Sequence, residues 1–182
     1  RPIVAEKINE IDIFVMEADE IIDRSILQVD PKVYNGYLNE EELEKINLLA
    51  DFHTMPREHI LSMKPWILAV IFDSPRPITP FNQDNLLKSK AEDFMKITQG
   101  LETPREHFSA LDEFTIDEQM SLLKAVLKKD LKQKEVGYEL LVSAYLTFNT
   151  EKILNTDTRI TKSLVSKDTW EKMEYYFLTR RN

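Results

Sequence analysis

Residues 11–16 (IDIFVM) constrain the fold more than any other part of this sequence. Five of these six residues are apolar and most are β-branched or aromatic, whereas apolar residues elsewhere recur mainly at helical spacing. Such a run is typical of a β-strand buried on both faces. Because ligands in open α/β sheets lie beyond the carboxyl ends of the strands, Glu17 and Asp19 are candidate site residues. The alternative is that these two carboxylates only cap or flank the next segment.

Length and composition limit the classes of protein to which the chain can belong. Its 182 residues suit a single domain with a substantial core. Cysteine is absent, which excludes disulfides, thiolate nucleophiles and Cys-ligated zinc. Acidic residues exceed basic ones by 32 to 24 and no basic stripe is interleaved with aromatic residues, so we expect no nucleic-acid partner. The longest apolar run, residues 66–72, is too short to span a membrane.

A second strand is predicted at residues 97–101, and Glu102 follows it. The next residues, TPRE at 103–106, form a capping box with proline at the first helical position, which predicts a helix start. Mostly helical sequence separates the two strands, so a right-handed crossover and parallel pairing are expected. Glu17 and Glu102 are then predicted at the same edge of one sheet. We expect the side chains of Glu102, Glu106 and His107 to diverge.

Apolar residues at helical spacing, together with capping residues, predict the helices. The predicted ranges are 2–10, 40–52, 65–72, 82–96, a helix after Thr115, 136–148, 151–165 and 168–179. The lysines of residues 128–134 are expected on a solvated face at a helix C-terminus. The predicted fold class is therefore α/β and predominantly helical, with a small parallel sheet and many surrounding helices.

Four short motifs, in order along the chain, resemble those of the TraB/GumN family. They are MEAD at 16–19, MKPW at 63–66, GLET at 100–103 and RN at 181–182. That family includes pheromone-shutdown proteins and is related to the Tiki proteases, and its wider clan includes erythromycin-esterase-like and ChaN-like proteins. The resemblance implies a metal-dependent hydrolase, more narrowly a peptidase. It also implies two Gly-x-x-His motifs, one before the MEAD strand and one after the RN pair.

This sequence contains no Gly-x-x-His motif. We therefore expect residues 1–182 to be an incomplete portion of a longer TraB/GumN-like domain, inactive alone. The resemblance implies catalytic roles for Glu17, Glu102 and Arg181, with Glu17 also a metal ligand and Arg181 neutralising a carboxylate or an oxyanion. Because one carboxylate does not hold a catalytic metal, a divalent ion is expected in the full-length protein and none in this chain.

Glu17 is predicted to be the functional acid ahead of Glu102. The helix start behind Glu102 gives that carboxylate a structural explanation, whereas Glu17 is followed by Asp19 and Glu20 without a cap. The alternative function is a non-catalytic module that binds a peptide or small ligand in a helix-lined groove at residues 63–72. Resemblance to exported enzymes, with no cysteine and no initial methionine, leads us to expect a periplasmic or extracellular location.

Overall fold

The structure is a computed structural model that describes residues 6–21, 23–75 and 83–176. Within these ranges the two strands are β1 (Ile13–Ala18) and β2 (Ile97–Glu102). The α-helices of the same ranges are α1 (Glu40–Phe52), α2 (Pro65–Asp73), α3 (Gln83–Asp93), α4 (Pro104–Asp112), α5 (Ile116–Lys128), α6 (Leu131–Tyr145), α7 (Thr150–Lys162) and α8 (Lys167–Glu174). Short 3-10 helices cover Ile8–Glu10, Arg24–Leu27, Pro31–Tyr34 and Arg57–Ser62. The predicted class, a predominantly helical α/β fold, is confirmed.

The chain divides into two compact units. The first, called here the strand unit, comprises Arg1–Ile26 and Pro77–Ser109 and contains both strands. The second, called the helical unit, comprises Leu27–Arg76 and Ala110–Asn182. The prediction of a single domain stays a prediction.

In the strand unit, β1 and β2 pair in parallel. The register runs from Ile13 opposite Ile97 to Ala18 opposite Glu102. The predicted parallel pairing is therefore confirmed, and it places the carboxyl ends of both strands at one edge. Helix α3 packs against both strands. Glu17 and Glu102 lie at this edge.

The prediction that β1 is buried on both faces is wrong. Exposure alternates along both strands, so that every second residue faces solvent. Ile13, Val15 and Ile97 are exposed, and Leu101 is 80% exposed. A parallel strand is buried on both sides only when both faces of the sheet are covered. The apolar run correctly predicted a strand, but it did not predict that one face of the strand is exposed to solvent.

The core of the helical unit forms where α2 packs against α5. Apolar residues occupy nearly every position of α2, and Leu68 and Phe72 are fully buried in this core. Helix α5 contributes Met120 and Leu123, which are equally buried. Burying a side chain of this size stabilises the fold by about 1.5–3 kcal/mol. The α2–α5 contact is therefore a principal source of stability in this unit.

Capping residues set the helix starts. Asn39 and Glu42 form a reciprocal capping box, and α1 spans the predicted residues 40–52. The predicted boundary of α6 is wrong, because the helix begins at Leu131 rather than at residue 136. Asp130 and Gln133 form a capping box there, so the lysine run spans the end of one helix and the start of the next.

The described helices are too short, or too polar, to cross a lipid bilayer. Helix α2 is very apolar but has 9 residues, and α6 has 15 residues with many charges. A membrane-spanning helix needs about 20 apolar residues. The prediction of no membrane span is thus supported for the described part of the chain.

Candidate metal site

The parallel register brings two carboxylates to one edge of the sheet. Glu17 is the penultimate residue of β1, and Glu102 is the last residue of β2. Their backbones are one step apart in register, since Ala18 pairs with Glu102. The structure therefore places Glu17 and Glu102 close together. This agrees with the prediction that parallel pairing brings both residues to the same edge of the sheet. Their predicted catalytic role stays a prediction.

His107 completes a cluster with these two carboxylates. Its Nδ1 lies 2.9 Å from Glu102 Oε1 and 3.9 Å from Glu17 Oε1. One ligand atom from each of the three residues lies within 4.8 Å of the other two. All three residues belong to the strand unit. We call Glu17, Glu102 and His107 the edge cluster.

The expectation that the side chains of Glu102 and His107 diverge is wrong. Helical side chains tilt toward the N-terminus of their helix, so the His107 ring lies over the first turn of α4. Glu102 lies two residues before the start of α4, and its carboxylate is therefore within reach of the ring, at 2.9 Å from Nδ1. The informative sequence signal was a histidine at the fourth position of a helix that starts two residues after a strand-ending acid.

Glu106, rather than Glu102, serves the start of α4. The Thr103 N–H and hydroxyl donate to Glu106 Oε2, each at 2.8 Å, and Thr103 Oγ1 accepts from the Glu106 N–H. The backbone hydrogen bond from Thr103 lowers the pKa of Glu106. Glu106 therefore supplies the side-chain hydrogen bonds of this cap, and the predicted structural role of Glu102 beside the helix start stays a prediction.

The neighbours of Glu17 in sequence are also satisfied. Asp19 Oδ1 accepts a hydrogen bond from the Gly100 N–H at 2.5 Å, and Glu20 pairs with Lys88 at 2.7 Å. The hydrogen bond to Glu20 raises the pKa of Lys88. Repulsion from Asp19 and Glu20 is therefore reduced by their own partners, and the ranking of Glu17 above Glu102 stays a prediction.

Exposure distinguishes the members of the edge cluster. The side chains of Glu102 and His107 are 21% and 27% exposed, whereas that of Glu17 is 71% exposed. Electrostatic interactions are stronger where water is partly excluded. Glu102 and His107 form the sheltered part of the cluster, and Glu17 forms its solvent-facing part. The third predicted site residue, Arg181, lies outside the described residues.

The Asp19–Gly100 contact holds the two strand ends together. The Asp19 N–H donates to the Glu102 carbonyl at 3.0 Å, which extends the strand pairing to the cluster. A Cβ atom at Gly100 would lie 2.3 Å from Asp19 N and 2.6 Å from the Ala18 carbonyl carbon. Both obstacles are backbone atoms, so the strands themselves would have to move. Glycine is therefore required at position 100, because the backbone of Ala18 and Asp19 lies too close to leave room for a Cβ atom.

Gly100→Ala is expected to lower the free energy of unfolding by about 1–3 kcal/mol, the usual cost of overpacking. Gly137→Ala is the matched control, because a Cβ there meets no atom within 4 Å. That change is expected to stabilise the protein by about 0.5–1 kcal/mol, since glycine is unfavourable inside a helix. Denaturant unfolding of both variants provides the measurement. Equal stability of Gly100→Ala and the unchanged chain would contradict the close packing of Asp19 on Gly100.

The edge cluster fits a divalent metal ion. Two carboxylate oxygens and an imidazole nitrogen are ligand types that zinc and other divalent ions accept. Two ligand atoms bound at about 2.1 Å to one ion are at most about 4.2 Å apart. The separations of Nδ1 from the two carboxylates, 2.9 and 3.9 Å, satisfy this limit, and all three ligand atoms lie within 4.8 Å of one another, so small side-chain movements would bring them to one ion. Three donors are also the number that protein side chains supply in catalytic zinc sites.

The structure thus defines a mainly helical α/β protein with a carboxylate–imidazole cluster at the end of a parallel strand pair. The model of the TraB/PrgY/gumN family matches residues 2–182, and the chain belongs to this family. No curated protein and no solved structure shows a significant match. The resemblance inferred from the four sequence motifs is therefore confirmed.

Proposed function

We propose that the protein to which this chain belongs is a metal-dependent hydrolase and that the edge cluster contributes ligands to its metal site. The observation that supports the proposal is the convergence of Glu17, Glu102 and His107, whose ligand atoms lie within 4.8 Å of one another. Sequence analysis alone provided one ligand, Glu17. Three donors from this chain equal the number of protein ligands in a typical catalytic zinc site, so the edge cluster could bind a metal without a ligand from another segment.

The residues of the cluster have separable roles in this proposal. Glu102 and His107 would hold the ion in the sheltered part of the site, while the exposed Glu17 would bind it on the side open to substrate. The chemistry that a divalent ion supplies in such sites is polarisation of a carbonyl group and activation of water. Arg181 is proposed to neutralise a substrate carboxylate or a developing oxyanion.

The resemblance to Tiki-related proteases makes a peptide the proposed substrate. The same resemblance makes the periplasm or the extracellular space the proposed location. A full-length gene without a signal peptide would contradict the location and leave the proposed chemistry intact.

The proposed activity is tested with the full-length protein and a mixture of fluorogenic peptides. Removal of divalent ions with a chelator is expected to reduce hydrolysis about 100-fold or more, and added Zn²⁺ or Mn²⁺ is expected to restore it. Glu102→Gln should cause a similar loss. Hydrolysis that is insensitive to the chelator, or absent from the metal-loaded protein, would contradict the proposal.

The alternative function, a binding module that uses residues 63–72, is favoured by a separate observation. Ala69 and Val70 of that segment line a cavity of about 510 Å³ in the helical unit. Binding in this cavity is independent of the edge cluster, which belongs to the strand unit. Flanking Gly-x-x-His motifs in the full-length gene would favour the enzyme, and their absence would favour the module.

A further inference from the structure

The MKPW motif at residues 63–66 contributes no ligand to the edge cluster as the described part of the chain defines it. Pro65 is the first residue of α2, which makes Lys64 the N-cap of that helix and places Trp66 in its first turn. The side chains of Lys64 and Trp66 both donate hydrogen bonds to Asp112, the last residue of α4. Two residues of the motif therefore converge on a single carboxylate.

Asp112 receives three hydrogen bonds from these two residues. Lys64 Nζ lies 2.7 Å from each carboxylate oxygen, and Trp66 Nε1 donates to Oδ1 at 3.1 Å. Trp66 is buried, and the side chains of Lys64 and Asp112 are 20% and 39% exposed. A charge-assisted pair with a second donor in a partly sheltered position fixes its geometry better than an exposed ion pair does. We call Lys64, Trp66 and Asp112 the α4 clamp, and all three residues belong to the helical unit.

Helix α4 depends on contacts at its two ends. It has 9 residues, of which Ala110 is the one that is buried, and isolated helices shorter than about 12 residues are marginal in water. Hydrogen bonds between Thr103 and Glu106 hold its start. Its end carries Asp112, although the helix dipole favours a cation there, and its last turn contains no basic residue. Lys64 supplies that cation.

The residue of α4 that belongs to the edge cluster is His107. It is the fourth residue of the helix and lies roughly 7.5 Å along the helix axis from Asp112. In an α-helix the carbonyl of residue 107 accepts a hydrogen bond from the N–H of residue 111, so fraying of this end reaches His107 directly. The contact of its ring with Glu102 requires the side-chain direction that the helix imposes.

We propose that Lys64 and Trp66 are positioning residues for His107, because they hold Asp112 and thereby the end of the helix that carries this metal ligand. The inference rests on the proposed function, since it takes the edge cluster to be the metal site. Neither Lys64 nor Trp66 contacts the ion or the substrate. Their effect on metal binding is transmitted by the backbone of α4.

A second ion pair of the helical unit provides a matched control. Lys129 Nζ contacts both carboxylate oxygens of Asp73, at 2.9 and 3.2 Å, and Asp73 is the last residue of α2. The side chains of Lys129 and Lys64 are each 20% exposed. Both pairs thus join a lysine to an aspartate that ends a helix, but α2 does not carry His107. Loss of the control pair should lower stability without changing the His107 ring.

The test uses the full-length protein, labelled with ¹⁵N-histidine, and the variants Lys64→Met, Lys64→Arg and Lys129→Met. Without metal, Lys64→Met is expected to shift the His107 ring resonances toward those of a free histidine. It should also weaken Zn²⁺ binding about tenfold, the lower end of the effect of residues that support metal ligands. Lys64→Arg keeps a charged bidentate donor and should retain both properties. Lys129→Met should change neither.

Trp66→Phe is a second variant in case Lys64→Met fails to fold. It removes the indole N–H and keeps an aromatic ring, so the His107 resonances should shift in the same direction and Zn²⁺ affinity should fall about threefold.

Unchanged His107 resonances in both folded variants, or equal changes in Lys64→Met and Lys129→Met, would overturn the positioning role. Failure of the unchanged protein to bind Zn²⁺ would contradict the proposed function instead. In that case the metal-free spectra would still decide whether the α4 clamp positions His107.

Discussion

Phe72→Ala is expected to lower the free energy of unfolding by about 3–5 kcal/mol. Phe72 is 0% exposed and lies in the core between α2 and α5. Truncation removes most of the side chain and leaves a cavity that rigid helices cannot fill. Denaturant unfolding, followed by circular dichroism, measures the loss. Because α2 and α5 provide much of this core, the whole helical unit should be affected.

Val70→Ala is the matched control for Phe72→Ala. Val70 is on the same helix but is 51% exposed, so the stability should change by about 0.5 kcal/mol or less. Similar effects of the two substitutions would contradict the packing of α2 against α5. So would a loss below about 1 kcal/mol for Phe72→Ala.

Glu102→Gln is expected to weaken divalent-metal binding by about 100-fold or more, because it replaces a charged ligand with a neutral amide. The amide has nearly the same size, so thermal stability without metal should remain close to that of the unchanged protein. Glu17→Gln should also weaken binding. Zn²⁺ titration of the full-length protein, with thermal unfolding in parallel, provides both measurements. Asp93→Asn, a similar change at an exposed residue outside the edge cluster, is the control.

The two glutamate variants also test the predicted ranking of the acids. Loss of binding with Glu102→Gln alone, while Glu17→Gln binds normally, would reverse the ranking and make Glu102 the principal ligand. Unchanged binding in both variants would exclude the edge cluster as the metal site.

The topology of the site could be predicted because it depends on local signals and on a general rule of chain connection. The apolar run before Glu17 indicated a strand, and the helical sequence between the strands required parallel pairing. Helix starts were predictable where a capping box marks them, as Asn39 and Glu42 do for α1. These features depend on residues that are close in sequence.

Other features depend on the surroundings of each residue and were not predictable. Ile13 belongs to an apolar run, yet it is exposed because one face of the sheet is open. Lys134 belongs to a run of charged residues, yet it is buried because Asp130 starts a new helix and directs it inward. The reach of His107 to Glu102 depends on the direction of a helical side chain relative to a preceding strand. The sequence had predicted a buried Ile13, a solvated Lys134 and a His107 side chain directed away from Glu102, and the structure shows the opposite for each.

Nitrogen NMR of the histidine rings tests the metal site most directly. The sequence has three histidines, so ¹⁵N-labelled histidine gives a spectrum that is simple to assign. On titration of the full-length protein with Zn²⁺, the His107 Nδ1 resonance is predicted to shift at about one equivalent, and this change should disappear in His107→Asn. A Zn²⁺ titration that leaves the His107 resonances unchanged would contradict metal binding by the edge cluster.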